Sequence, residues 1–248
     1  GQEVAPYNGT GGVQLNSTLR RLAFALNEFD YNLLGSSAID DGSRFVSVRN
    51  VADRVNKVAP FLSLDGDPYP VVVGGRILWV IDGYTTSNRY PYGESADRKQ
   101  LGENSGLDQP FNYIRNSVKA VVDAYDGSVL LYVVDSSDPV LQVWQSAFPD
   151  LFVDGAEMPA GLRDHLRYPE ELFRVQTTAY SKYRLDRADF FDRRGAWSLA
   201  LAAPSQDNSP STGTADETST TVAAEASSSQ FASDSNAPRF DPYYTMFH

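Results

Sequence analysis

The densest run of side chains able to do chemistry is residues 79–92, Trp-Val-Ile-Asp-Gly-Tyr-Thr-Thr-Ser-Asn-Arg-Tyr-Pro-Tyr. A hydrophobic strand is expected to end at Ile81, with a polar loop from Asp82 onward. Asp82, Tyr84, Thr85, Thr86, Ser87, Arg89, Tyr90 and Tyr92 would give that loop donors, acceptors and flat rings. Such a loop on a rigid strand end suits a ligand or partner site, and Tyr and Arg are common interface anchors. A second reading makes the same residues structural: Asp82 caps the turn and the hydroxyls satisfy turn amides. Arg115 joins the candidate set, as a binding residue or as an ion-pair partner of Asp82 or Asp135.

Other chemistry is sparse. There is no Walker pattern, no G-x-G-x-x-G after a strand and no G-x-S-x-G elbow. His165 is the one internal histidine, so any Ser-His-Asp triad would need it, and a structural role is expected. Asp65 and Asp67 in Leu-Asp-Gly-Asp-Pro begin like a calcium loop but lack its later ligands, so they read as a turn. Hairpin register sets Asp123 opposite Leu130 and Asp135 opposite Val118, too far apart for a glycosidase dyad. No cofactor is expected.

The elements that must position these groups are legible in part. Residues 15–29 space Leu15, Leu19, Leu22, Phe24, Leu26 and Phe29 as on a helix, with Asn16 or Ser17 as cap. A short strand at 44–48 and a helix at 49–58 follow. Two hairpins are predicted, 69–73 with 76–81 around Gly74-Gly75, and 118–125 with 128–134 around Asp126-Gly127. Residues 139–148 read as a helix opened by Pro139 and capped by Asp138. Residues 168–184 read as a longer helix with Leu172, Val175, Ala179 and Tyr183 inward, and Trp197–Leu201 as a further strand. The class is α+β, an antiparallel sheet of hairpins with helices packed on it.

Composition bounds the function. The 248 residues include 32 acids against 21 Lys and Arg, a net charge of −11, which argues against nucleic acid and anionic lipid. The chain has no Cys and 2 His, which excludes disulfides and a multi-histidine metal centre. No signal peptide is visible at Gly1, and the longest apolar runs are far short of a membrane span. Residues 1–203 read as one body. Residues 204–238, with 9 Ser, 5 Thr and 6 Ala and no Lys or Arg, read as a low-complexity acidic loop. Residues 239–248 turn aromatic and read as a strand returning to the body.

Several motifs carry a resemblance. They are Gly-Gly-Val-Gln-Leu-Asn-Ser-Thr-Leu-Arg-Arg-Leu at 11–22, Val-Ala-Pro-Phe-Leu-Ser-Leu-Asp at 58–65 and Gly-Arg-Ile-Leu-Trp-Val-Ile-Asp-Gly-Tyr-Thr-Thr-Ser at 75–87. Tyr-Ile-Arg-Asn-Ser-Val-Lys-Ala-Val-Val-Asp-Ala-Tyr-Asp-Gly at 113–127 and Leu-Arg-Asp-His-Leu-Arg-Tyr-Pro-Glu-Glu-Leu-Phe at 162–173 continue it. In order, they resemble the UPF0182 family of multi-pass membrane proteins, found mainly in actinobacteria. The resemblance implies a piece of a soluble region facing the cell envelope, anchored by transmembrane helices outside this chain. It carries no catalytic residues across. The expectation is therefore an extracytoplasmic binding module, leaning to non-enzymatic, for another envelope protein or a glycan. The alternatives are an envelope hydrolase or transferase with its site at 82–92, and a gating domain of a transporter. The binding reading requires an exposed patch built from 82–92.

Overall fold

The structure, a computed structural model, describes residues 7–36, 39–40, 42–99, 101–102, 104–183 and 244. The expected strand at 197–201, the acidic loop at 204–238 and the returning strand at 239–248 lie outside the described residues, apart from Tyr244. The chain divides into two units, 1–176 and 177–248. The elements below belong to the first, except that the last helix runs on into the second.

The elements are β1 (Val13–Gln14), α1 (Thr18–Glu28), α2 (Asn32–Gly35), β2 (Arg44–Phe45), α3 (Val51–Val58), β3 (Ser63–Leu64), β4 (Tyr69–Val73), β5 (Arg76–Ser87), β6 (Tyr113–Asp123), β7 (Val129–Val133), α4 (Pro139–Ala147), β8 (Phe152–Asp154), α5 (Ala160–Arg163) and α6 (Glu170–Tyr183). The main sheet runs β3-β5-β6-β7-β8, with β4 also on β5. The expected α+β class holds. One pairing, β7 with β8, is parallel and the others in this sheet are antiparallel.

Strand β5 corrects the loop reading of 82–87. Tyr, Thr and Ile suit a pleated, half-buried surface, and β6 supplies partners as far as Ser87, which pairs with Tyr113. The polar residues from Asp82 to Ser87 therefore belong to the strand, with Asp82 to Thr85 buried and Thr86 and Ser87 half-buried toward its end. Arg115 likewise sits within β6 and not ahead of it.

The first hairpin forms as expected. Gly74 and Gly75 both take positive φ, 58° and 79°, as a two-residue turn matched to strand twist requires. The second differs. Only Gly127 of Asp126-Gly127 is at positive φ, 73°, and Val122 pairs with Val129. Four residues, 124–127, make the loop, with the Gly127 N–H on the Asp123 carbonyl and the Asp123 N–H on the Ser128 carbonyl. Asp123 therefore sits opposite Ser128, two positions from the expected Leu130. Its side chain accepts from the Tyr125 and Asp126 amides, which stabilises the longer turn over the shorter.

Alternation along β5 and β6 separates two faces. Ile81, Val118, Ala120, Val122 and Leu131 pack under α3 and α4, with Val55 and Leu141. Val80, Val121 and Tyr132 pack on the other face with Tyr69, Val71, Met158 and Leu162. Farther along, Tyr84, Leu107 and Phe111 form a third cluster, against which Leu172 and Val175 of α6 pack. Ala179 and Tyr183 are exposed, against expectation. A bulge between Gly83 and Tyr84 leaves Ser117 as an extra residue in β6. It turns Ser117 toward α4, the same side as Val118.

Candidate functional site

The candidate residues fall into three places. On the face under α4, Thr85 is buried and its hydroxyl donates to Asp138. Ser117 donates to the same carboxylate at 2.5 Å and Tyr113 at 2.6 Å, and the Val140 N–H does so at 2.9 Å. Asp138 is 0% exposed and caps α4 as the sequence predicts. Burial works to raise its carboxyl, but the Ser117, Thr85 and Tyr113 hydroxyls outweigh burial and hold it below the usual range. Tyr113 responds in kind: burial and the Asp138 hydrogen bond push its phenol up to about 12.

On the opposite face lie Asp82 and Tyr84. Lys119 of β6 sits across from Asp82 and makes an ion pair with it, and both are buried. The Lys119 ammonium also donates to the Arg167 carbonyl at 3.0 Å. Burial raises the Asp82 carboxyl, and Lys119 opposes this without cancelling it. The Tyr84 phenol donates to Asp65, and burial with the Asp65 charge raises it far above its ordinary value. Asp65 also accepts from the Asp67 N–H at 3.0 Å, which is the expected turn, and from the Glu171 N–H at 3.2 Å. Glu171 accepts from the Gly102 N–H at 2.8 Å through Oε1, while its buried Oε2 has no hydrogen-bond partner. Burial raises this carboxyl too. A Cβ at residue 102 would lie 2.7 Å from Glu171 Oε1, so a larger residue there would displace the end of the Glu171 side chain.

The third place is the surface at the end of the β5–β6 ladder. Thr86 and Ser87 are half-buried there, and Ser87 accepts from the Arg89 N–H at 3.1 Å. Asn112 organises the loop beyond. Its side chain accepts from the Tyr90 N–H at 3.0 Å and donates to the Tyr90 carbonyl at 2.9 Å and the Gly93 carbonyl at 3.1 Å. The loop so held stacks Tyr90 on Tyr113, 6.0 Å between centroids and 20° between planes. The Arg115 guanidinium sits 6.0 Å over Tyr113 and pairs with Asp135 at 2.9 Å and Ser137 at 3.1 Å. Arg89 and Tyr90 are exposed, and Tyr92 is fully exposed at φ 56°.

The structure thus brings Tyr90 and Arg115 together through Tyr113, with Arg89 and Tyr92 on the same loop. It withdraws Asp82, Tyr84 and Thr85 from solvent, so the expected exposed patch from 82–92 is confined to Arg89–Tyr92. Arg115 meets Asp135, one of its two expected partners. His165 is exposed, and its Nδ1 lies 2.7 Å from the Gly161 carbonyl. Sequence reading missed Tyr113, Asn112, Lys119 and Glu171. Lys119 carried a usable signal, a lone cation inside the apolar run 118–122 that needs a buried counter-charge. Among the described residues, no cluster of three or more His, Asp or Glu can hold a metal, and no helix is long and apolar enough to cross a membrane.

Comparison with known proteins gives one consistent answer. The chain is 46% identical over 213 residues to a UPF0182 protein of Frankia casuarinae, covering 80% of this chain and 21% of that one. It is 48% identical over 200 residues to one of Saccharopolyspora erythraea, covering 78% and 21%. It is 46% identical over 195 residues to one of Moorella thermoacetica, covering 78% and 20%. The chain therefore spans about a fifth of the length of the curated relatives it matches. No solved structure matches it. The sequence model of the uncharacterised protein family UPF0182 matches residues 1–248, and the chain belongs to that family.

Proposed function

We propose that this chain is a binding module on the extracytoplasmic side of a multi-pass membrane protein, docking an envelope protein or a glycan. The Tyr90–Tyr113–Arg115 stack, with Arg89 and Tyr92, is the docking surface. One observation carries the reading. Tyr92 is fully exposed yet held at φ 56°, within a loop that Asn112 braces at three points. A bulky side chain at positive φ costs about 1–2 kcal/mol, and no packing of Tyr92 offsets that cost. Strain of this kind collects at functional sites. Flat rings beside a guanidinium supply apolar area, hydrogen bonds and cation–π contacts together. The enzyme reading loses support because Asp82 lies under Lys119 and does not face solvent.

The test is a thermal-shift series with soluble peptidoglycan fragments, alongside a pull-down from envelope extract with the chain as bait. A ligand at a hundred times its Kd adds about 2.7 kcal/mol of stability. A shift or a specific capture that disappears in Tyr90→Ala supports the reading. A response equal in wild type and Tyr90→Ala, or none in either arm, overturns it.

A further inference from the structure

Helix α1 is built with its apolar side out. Leu19, Leu22 and Leu26 fall on one stripe by helical spacing, and Phe29 extends it at the C-cap. These are the residues whose spacing suggests a core-facing helix. Leu19 is 76% exposed, Leu26 56% and Phe29 82%, with Leu22 also exposed. The side turned inward is the less hydrophobic one. Ala25 is the one fully buried residue of the helix, Phe24 packs on Phe45 at 4.6 Å, and the Arg21 Nε donates to the Leu15 carbonyl at 2.8 Å. Tyr31 and Leu34 beside it are exposed as well. The stripe itself carries no charge.

We infer that this stripe is the seat of another part of the same, longer polypeptide, an apolar segment outside residues 1–248. The length of the relatives and the size and character of the stripe select that occupant. The 213 residues matched to the Frankia casuarinae relative are 21% of its chain, so about four-fifths of such a polypeptide lies outside the match. A segment tethered in one chain meets its seat at an effective concentration on the order of millimolar without further contacts. The stripe amounts to four exposed side chains, Leu19, Leu22, Leu26 and Phe29, small beside the roughly 800 Å² per partner of a freely associating interface. A second copy is therefore the weaker occupant. An uncharged, leucine-lined stripe also matches the interior of a permanent interface and not the polar rim of a transient one.

The experiment places a photo-reactive group on the stripe, Leu26→p-benzoylphenylalanine, in the full-length polypeptide that carries this chain. The expected product is an intramolecular cross-link, without change in apparent mass, mapped by mass spectrometry to a peptide outside residues 1–248. A doubled mass, a lipid adduct, a link confined to residues 1–248 or no link overturns the inference. A second variant, Leu22→Glu with Leu26→Glu, separates docking from folding. It should leave the melting temperature of the 248-residue chain unchanged, because both side chains are solvated there. In the longer polypeptide it should speed proteolysis of the docked segment about tenfold, the effect of 1.4 kcal/mol. Equal melting shifts in both contexts, or no change in proteolysis, also overturn it.

Discussion

Residues 82–92 hold two halves of similar chemistry and opposite use. From Asp82 to Thr85 the polar groups are buried in a sheet, each matched to a partner from another element: Lys119, Asp65 and Asp138. From Arg89 to Tyr92 they are exposed, and the effort of the structure goes into shaping the backbone through Asn112. Polar composition alone does not mark a binding loop. A buried polar residue is costly unless paired, so the inner half specifies the fold. An exposed aromatic held in strain has no such account, and the proposed docking role rests on the outer half.

The inner half is itself divided by the two faces of β5. The Asp138 node is complete, with three hydroxyls and an amide on one carboxylate. Across the sheet, Lys119 answers Asp82, Asp65 accepts from Tyr84 and the Glu171 N–H, and Glu171 Oε2 goes without a hydrogen bond. The first behaves as a helix cap enlarged into a core element. The second is a place where charge has been taken out of water at a net cost.

The comparison breaks most visibly at Lys119. Lys119→Met leaves Asp82 buried without its counter-charge, and should cost about 3–5 kcal/mol in denaturant unfolding. A loss under about 1 kcal/mol would mean that water reaches Asp82, and the division at Ser87 would fail. Asp138→Ala removes the α4 cap and strands three hydroxyls, so a loss of about 2–4 kcal/mol is expected by the same measurement.

The two faces should also differ in sign with pH. The Asp138 carboxyl lies below its ordinary value when folded, so its stabilisation is present above the unfolded pKa and fades as pH falls through the folded one. The Glu171 carboxyl lies above its ordinary value, so the folded state holds that proton more tightly. Its contribution is full in acid and is lost as pH rises through the folded pKa. Glu171→Gln should therefore gain stability relative to wild type toward neutral pH and show no gain in acid. A variant curve parallel to wild type at every pH would remove Glu171 from this account.

The smallest effects on stability belong to the outer half. Tyr92→Gly relieves the positive φ and should raise stability by up to about 1 kcal/mol while weakening partner capture. Arg89→Ala and Tyr90→Ala should change unfolding by less than about 0.5 kcal/mol and still lower affinity by more than 1 kcal/mol. If either destabilises the chain as much as it weakens binding, the outer half is structural after all.

Local signals were legible where they are self-contained. Gly74-Gly75 sets its own turn through positive φ, and Asp138-Pro139 sets a helix start, because cap and turn chemistry act within a few residues. The α+β class and the family likeness were equally open to reading, through strand alternation and ordered motifs. Tertiary structure alone decided what depends on distant partners. It extended β5 to Ser87 by supplying β6, paired Lys119 with Asp82 and Arg115 with Asp135, and stacked Tyr90 on Tyr113, 23 residues away. It also turned the leucine stripe of α1 outward, where periodicity predicts a stripe but not its neighbour. Period fixes which residues share a face, and only packing fixes what that face meets.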